Sequence, residues 1–324
     1  MKSNVENKIP LISVTGPTAS GKTRLGVSLA KHFDGEVISA DSMQIYQGMD
    51  IATAKPTAEE MCGVPHHLIG FLPPDQTFSV AQFVDLAKEK IEDIHARGKL
   101  PIIVGGTGLY VNSLLNNISF SENDSDEKLR AELREKADKQ GVMSLIEELR
   151  EFDPESAERI EPNNVKRVIR AIEVYRTTGI TMTEQNRRSR LAESPYRAVK
   201  IGLKAQNRQF LYDRINMRVD IMVEQGLLEE TEKVLSSDCS QTAEKAIGYK
   251  ELIPYFNGET TLENALEELK KQTRRYAKRQ LTWFLRDEEI KWFDIDTVES
   301  FEELENLAID YAEKELKVMR ILTV

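Results

Sequence analysis

Residues Gly16-Pro17-Thr18-Ala19-Ser20-Gly21-Lys22-Thr23 satisfy G-x-x-x-x-G-K-[ST] at every fixed position. No other feature of the chain restricts its fold so strongly. The octapeptide follows a short apolar run, Leu11-Ile12-Ser13-Val14, and precedes a stretch that reads as helix. The pattern needs that context, a strand that delivers the loop and a helix that starts on it. Glycines let successive N–H groups turn inward around an anion. The helix N-terminus adds partial positive charge. Lys22 is placed to reach a terminal phosphate, and the Thr23 hydroxyl to ligate Mg²⁺. The eight residues therefore call for a di- or triphosphate. They do not fix the reaction, because kinases, GTPases and ATPases use the same device.

The surrounding pattern extends the phosphate loop into an α/β fold. Val37–Ala40, His67–Ile69 and Ile102–Val104 are further short apolar runs, and helical patterns separate most of them. That alternation predicts a parallel sheet with helices on its faces. Ser79 with Gln82 three residues on forms a capping box, Phe83, Ala87, Ile91 and Ile94 make an apolar helix face, and Gly98 ends it. Arg197–Leu203 and Ile290–Phe293 read as two more strands. Between them and the first four, from Ser121 to Ser194, no strand signal occurs. Leu129/Leu133, Leu145/Leu149 and Val168/Ile172/Tyr175 sit at helical spacing, with breaks at Pro154 and Pro162. The expectation is a P-loop NTPase-like parallel sheet core over 1–120 and 195–324, carrying a helical insertion domain over 121–194.

Ligands of open parallel sheets bind beyond the carboxyl ends of the strands. Asp41-Ser42-Met43-Gln44-Ile45-Tyr46 follows the second strand, so Asp41 points toward the phosphates, as a general base or as an N-cap or magnesium partner. Gly105-Gly106-Thr107-Gly108-Leu109-Tyr110 follows the fourth strand. Its glycines allow close backbone approach, and Thr107 can hydrogen-bond in the cleft.

These blocks, taken with Ala52-Thr53-Ala54-Lys55-Pro56, resemble the tRNA dimethylallyltransferase (tRNA isopentenyltransferase) family. The resemblance continues through Lys166-Arg167-Val168-Ile169-Arg170-Ala171-Ile172-Glu173, Ile247-Gly248-Tyr249-Lys250-Glu251 and Lys278-Arg279-Gln280-Leu281-Thr282-Trp283-Phe284. It spans nearly the whole chain and is of the bacterial type, since nothing after Trp292 offers zinc-finger cysteines and histidines. The resemblance implies transfer of a dimethylallyl group from dimethylallyl diphosphate to the exocyclic amine of the adenosine 3′ of the anticodon. It implies that the loop holds the leaving diphosphate with Mg²⁺ at Thr23. It also implies Asp41 as the base, Thr107 contacting the acceptor or orienting Asp41, and Arg218 on the diphosphate. The Asp41-Ser42-Met43-Gln44 block, with Gln44 on a neighbouring base, would meet the tRNA. So would Thr107, Arg130, Lys166, Arg167, Arg170, Lys278 and Arg279. Arg214 shares a helix face with Arg218 and competes with it for the diphosphate; ion pairing of Arg218 with Asp220 or Glu224 is the other reading.

The chain is acidic overall, with a formal net charge of −10, which by itself argues against nucleic acid. The helix expected from Thr261 to Arg286 resolves the conflict. At 100° steps, Leu262, Leu266, Leu269, Thr273, Tyr276, Gln280 and Phe284 fall on one half. Lys270, Lys271, Arg274, Arg275, Lys278, Arg279 and Arg286 fall on the other and read as a phosphate-backbone track. Cys62 and Cys239 are too few and too far apart for a disulfide framework. With no run of about 18 apolar residues and no apolar signal segment, a cytoplasmic monomer is expected. His66 and His67 alternate on a strand and read as structural. Rival readings are a small-molecule P-loop kinase, an AMP/ADP isopentenyltransferase, and a nucleotide-dependent switch.

Overall fold

β1 (Ile9–Thr15) lies inside a six-stranded sheet, flanked by β4 (Leu100–Gly105) and β5 (Tyr196–Lys204). The order is β3-β2-β4-β1-β5-β6, with β2 at Gly35–Ser39, β3 at His66–His67 and β6 at Lys291–Asp294, and every pairing is parallel. β1 and β2 are buried along most of their length, which is why they read as unbroken apolar runs. The computed structural model describes residues 8–118, 126–189, 192–237, 244 and 246–321; Cys239 and Ser121 lie outside them.

The chain divides into two compact units, 1–115 with 194–324, and 116–193. The first has the P-loop NTPase-like architecture. Its helices are α1 (Lys22–His32), α2 (Ala58–Met61), α3 (Val80–Ala96) and α4 (Gly108–Leu115) before the second unit in sequence. After it come α10 (Arg208–Glu224), α11 (Leu227–Leu235), α12 (Ile253–Phe256), α13 (Leu262–Phe284) and α14 (Phe301–Ile321). The Ser79–Gln82 capping box forms in both directions, and Phe83, Ala87, Ile91 and Ile94 are buried beneath it. Thr261 caps α13, where its side chain accepts the Asn264 N–H at 3.3 Å. The strand expected over His67–Ile69 is shorter and starts earlier. Leu68 adopts φ +59°, which no strand tolerates, and Gly70 follows at +56°.

The second unit holds α5 (Glu127–Gln140), α6 (Val142–Phe152), α7 (Pro154–Arg159), α8 (Val165–Thr178) and α9 (Met182–Arg188). Leu133, Leu145, Leu149, Val168, Ile169 and Ile172 form its own core. Pro154 opens α7 rather than only breaking α6, with Asp153 as the cap.

Candidate active site

The phosphate loop turns from β1 into α1 with Gly16 at φ +143° and Gly21 at +91°. A Cβ at Gly16 would lie 2.4 Å from the Leu203 carbonyl oxygen, and one at Gly21 2.4 Å from the Phe301 ring, so both positions need glycine for space and for dihedral. Arg24 lies over the same Phe301 ring at 4.5 Å, which fixes α14 beneath the loop. Arg214 reaches in from α10 and donates through Nε to the Ala19 carbonyl at 2.8 Å. Its remaining N–H groups stay available, and it lines the cavity on the α1–α10 side together with Lys22, Thr23 and Arg218. Arg218, one turn on, lines the cleft with Lys22 and Asp41. Asp220, its alternative partner, is paired instead with Lys270 at 2.8 Å.

Burial and the nearby Arg218 charge bring the Lys22 ammonium down to about 7, partly offset by Asp41. Its Nζ donates to the Pro17 carbonyl at 2.6 Å. Burial also lowers Arg218, against the pull of Glu60 and Asp41. Two half-buried cations that oppose each other's charge make a site whose electrostatics call for an anion. The Ser20 hydroxyl is buried without a hydrogen-bond partner among the described residues. Such an atom is ordinarily satisfied by a ligand or water.

Asp41 follows β2 and accepts N–H bonds from Met43 at 2.9 Å and Gln44 at 3.4 Å through Oδ1. Asp41 thus caps the turn and also lines the cavity. Thr107 does not line that cavity. Its Oγ1 accepts the Ser42 N–H at 3.0 Å, and its own N–H donates to the Ala40 carbonyl at 3.2 Å. It ties the loop after β4 to the loop after β2 and bonds Ser42, not Asp41. Gln44 lines the cavity, but its amide is engaged: Oε1 accepts from Ser39 Oγ, and Nε2 donates to the Thr53 and Ala54 carbonyls at 3.2 and 3.0 Å. Its oxygen, which accepts one bond, keeps a second acceptor position.

α13 closes the cleft with Leu269, Thr273, Tyr276, Arg279 and Gln280. The Gln280 amide is buried; Oε1 accepts the Thr18 N–H at 2.8 Å and Nε2 donates to the Gly106 carbonyl at 3.0 Å. A Cβ at Gly106 would sit 2.1 Å from Gln280 Nε2, and one at Gly108 2.3 Å from Trp283 Cδ1. The glycines after β4 are thus dictated by α13. Burial and the nearby Asp41 charge raise the pKa of the Tyr276 hydroxyl. The basic half of α13 is not uniform. Lys270 pairs with Asp220, Lys271 with Glu268 at 2.8 Å, and Arg274 donates to Asn216 at 2.6 Å, while Lys278 is exposed. Arg279, expected on the outer track, lines the cavity and lies 5.6 Å from the Tyr276 ring centroid.

The cavity around Asp41 measures about 370 Å³, and a second of about 570 Å³ lies on the α1–α10 side. Lys22, Thr23, Ala54, Arg218 and Met222 belong to both walls. Ile215, Val219 and Met222 form an apolar wall of the first cavity. Residues 50–55 line these cavities, and Glu230 of α11 holds them. Its carboxylate accepts the N–H groups of Asp50, Ile51 and Ala52 at 2.8, 2.8 and 2.9 Å and the Tyr249 hydroxyl at 2.8 Å. Sequence reasoning missed Glu230 and the bridging role of Gln280.

In the helical unit, Glu173 is fully buried and pairs with Arg130 at 2.9 Å and Arg170 at 2.8 Å. Arg130, Arg134, Lys166 and Arg170 line one depression there, which Arg167 does not. Among the described residues, no group of three or more His, Cys, Asp or Glu side chains could hold a metal. His67 Nε2 pairs with Glu36 at 2.8 Å, and His66 Nδ1 meets the Val64 carbonyl. Thr23, at the start of α1, fits an ion that is held mainly by diphosphate oxygens and water. No helix among the described residues is long and apolar enough to cross a membrane.

The family model described as IPP transferase matches residues 44–287. The chain is 48% identical over 312 residues to the tRNA dimethylallyltransferase of Caldanaerobacter subterraneus subsp. tengcongensis, covering 95% of this chain and 99% of that one. It is 51% identical over 295 residues to the tRNA dimethylallyltransferase of Halalkalibacterium halodurans, covering 90% and 93%. Among solved structures it resembles the tRNA isopentenylpyrophosphate transferase of Bacillus halodurans, with TM-score 0.69, 47% identity and coverage of 97% and 100%. It also resembles a eukaryotic dimethylallyltransferase acting on tRNA, with TM-score 0.75, 30% identity and coverage of 89% and 74%.

Proposed function

The chain belongs to the IPP transferase family, and from that premise we propose that it transfers a dimethylallyl group from dimethylallyl diphosphate to the exocyclic amine of the adenosine 3′ of the tRNA anticodon. The product is N6-dimethylallyladenosine and free diphosphate. One observation carries the reading: Asp41 and the cations Lys22 and Arg218 line the same cavity.

The allylic C–O bond breaks as the amine nitrogen bonds to the released carbon, and the electron pair leaves on the diphosphate oxygen. Lys22, Arg218 and the loop N–H groups stabilise that charge. Thr23 would hold a Mg²⁺ ion bound with the diphosphate, and that ion would supply further charge neutralisation. Asp41 takes the proton that the amine loses, a contribution of about 10²–10⁴-fold. The apolar wall of Ile215, Val219 and Met222 suits the five-carbon chain and keeps water from the reacting carbon. Thr107 acts indirectly by positioning Ser42.

The acceptor base must leave its stack to reach Asp41. Met43, Gln44 and Arg279 face it from the cavity wall. Lys278 and the depression of Arg130, Lys166 and Arg170, with Arg167 beside them on α8, supply phosphate contacts with the anticodon stem-loop. A cytoplasmic monomer accords with tRNA as acceptor. Labelled dimethylallyl diphosphate, offered with bulk tRNA or with AMP, tests the assignment. Label in tRNA alone is expected. Label in AMP would make the enzyme a nucleotide prenyltransferase, and label in neither would end the proposal.

A further inference from the structure

Trp283 has no part in the chemistry above, yet it keeps 41% of its surface in water. An indole so exposed is unusual on a surface with no partner, and common where a flat apolar face is to be covered. Its position is specific. The cleft-facing residues Tyr276 and Gln280 belong to one face of α13, and Trp283 is the next residue on that face, three positions on. The pyrrole edge of its ring rests on Gly108, two residues beyond Gly106, and the indole follows Gln280 by one helical turn; Gly106 and Gln280 both line the cavity that contains Asp41. Arg279 precedes it by four residues and Arg286 follows by three, both exposed, and the Arg286 N–H bonds the Trp283 carbonyl at 3.3 Å. An aromatic face with a cation one helical turn to either side is the combination that binds an unpaired nucleotide: the ring takes the base and the cations take its phosphates.

We propose that Trp283 is a stacking platform for an unpaired base of the anticodon loop next to the adenosine that enters the cleft. The inference rests on the tRNA reading above. Turning one base out of a loop leaves its neighbours without stacking partners. An indole so placed replaces that lost surface and holds the loop open while the amine meets Asp41. A protein partner on the same ring would need no flanking arginines, whereas a nucleotide does.

The two tryptophans of the chain are Trp283 and Trp292, so Trp292→Phe leaves a single reporter. Titrating that protein with an anticodon stem-loop should quench its emission. In a series of stem-loops each lacking one loop base, the quenching should disappear for one neighbour of the reactive adenosine. Trp283→Ala should weaken stem-loop binding and raise KM for tRNA by roughly 10- to 100-fold. Its kcat at saturating tRNA and its affinity for dimethylallyl diphosphate should stay near those of the parent. Trp283→Phe should recover most of the loss, and Trp283→Leu should not. Emission that ignores every stem-loop, or follows protein concentration instead, overturns the platform. So does rescue by leucine, which would mean that the ring only fills space over Gly108. If the parent protein neither binds nor modifies tRNA, it is the function that fails, and that result is separate. Should the alanine variant not fold, the quenching series on the intact indole still decides.

Discussion

Gln280 and Thr18 are 262 residues apart in the chain and joined by a 2.8 Å hydrogen bond, the Thr18 N–H donating to the Gln280 side-chain oxygen. The nitrogen of the same amide donates to Gly106. One buried side chain therefore holds the phosphate loop and the loop after β4 at a fixed separation. Gln280→Leu removes the partner of the buried Gly106 carbonyl and of the half-buried Thr18 N–H. It should lower stability by about 1–3 kcal/mol in urea unfolding and reduce kcat/KM. Gln280→Glu keeps the acceptor for Thr18 and loses only the donor, so it should fall between. Wild-type stability and turnover in the leucine variant would show that the bridge is dispensable.

Asp41 has two duties that a single substitution can separate. Its Oδ1 caps the turn to Met43 and Gln44, so Asp41→Ala removes the base and unpins the turn together. Asp41→Asn keeps an oxygen for the cap and cannot take a proton. The asparagine variant should bind dimethylallyl diphosphate normally and lose about 10²–10⁴-fold in single-turnover rate. A rate within a few-fold of the parent would take Asp41 out of the chemistry.

What was legible in the sequence was local. The phosphate loop, the Ser79–Gln82 box and the helices of 126–189 each depend on residues close in sequence, and each is present. What escaped was tertiary. Helical periodicity placed Gln280 on the buried half of α13, correctly, but periodicity reports burial and not the partner. Glu230 sits among other acidic residues at the start of α11, and nothing in that string marks it as the acceptor for three N–H groups far upstream. The Arg130–Glu173 pair escaped because it joins α5 to α8, whereas the Arg170–Glu173 pair is i,i+3 on one helix. The strand at His66–His67 was misplaced because a positive φ at Leu68 has no signature in a leucine.

Lys22 makes donor binding dependent on pH. In the native protein it sheds its proton near pH 7, against its ordinary value of 10.5. Between those values the unfolded chain binds more protons, so the stability of the free protein should rise with pH across that window. Diphosphate restores the proton by supplying the anion that the ammonium lacks. Above about pH 8 the diphosphate is itself fully ionised, and affinity should fall by up to tenfold per pH unit. Calorimetry in two buffers of different ionisation heat should register proton uptake on binding. Lys22→Met should bind more weakly with no uptake. Equal heats in both buffers for the parent would refute the linkage.

Salt should weaken tRNA binding, but the cations of α13 should not contribute equally. Lys270 is largely covered and held by Asp220 and Glu267, whereas Lys278 is exposed with no ion pair among the described residues. Lys278→Ala should flatten the plot of log K against log salt by about 0.7–0.9, and Lys270→Ala should leave the slope nearly unchanged. The reverse order would mean that the internal pairs open on binding.

Glu230 should be a positioning residue with a local signature. Its carboxylate accepts the N–H groups of three consecutive residues, Asp50 to Ala52, and the Tyr249 hydroxyl. The segment it holds is otherwise pinned by Lys55, which bonds the Tyr46 carbonyl and pairs with Asp50, and by close packing of Gly248 on Ala52. Charge-assisted bonds to backbone are among the stronger ones, so Glu230→Ala should destabilise the protein by about 2–3 kcal/mol. A merely global loss would speed amide exchange everywhere. A positioning role predicts faster exchange first at residues 50–54, together with weaker diphosphate binding, because Asp50, Ile51 and Ala54 line the α1–α10 cavity. Glu230→Gln keeps one acceptor and turns a donor toward N–H groups, so it should resemble alanine more than glutamate. Unaltered exchange at residues 50–54 in the alanine variant would leave Glu230 with no hold on the site.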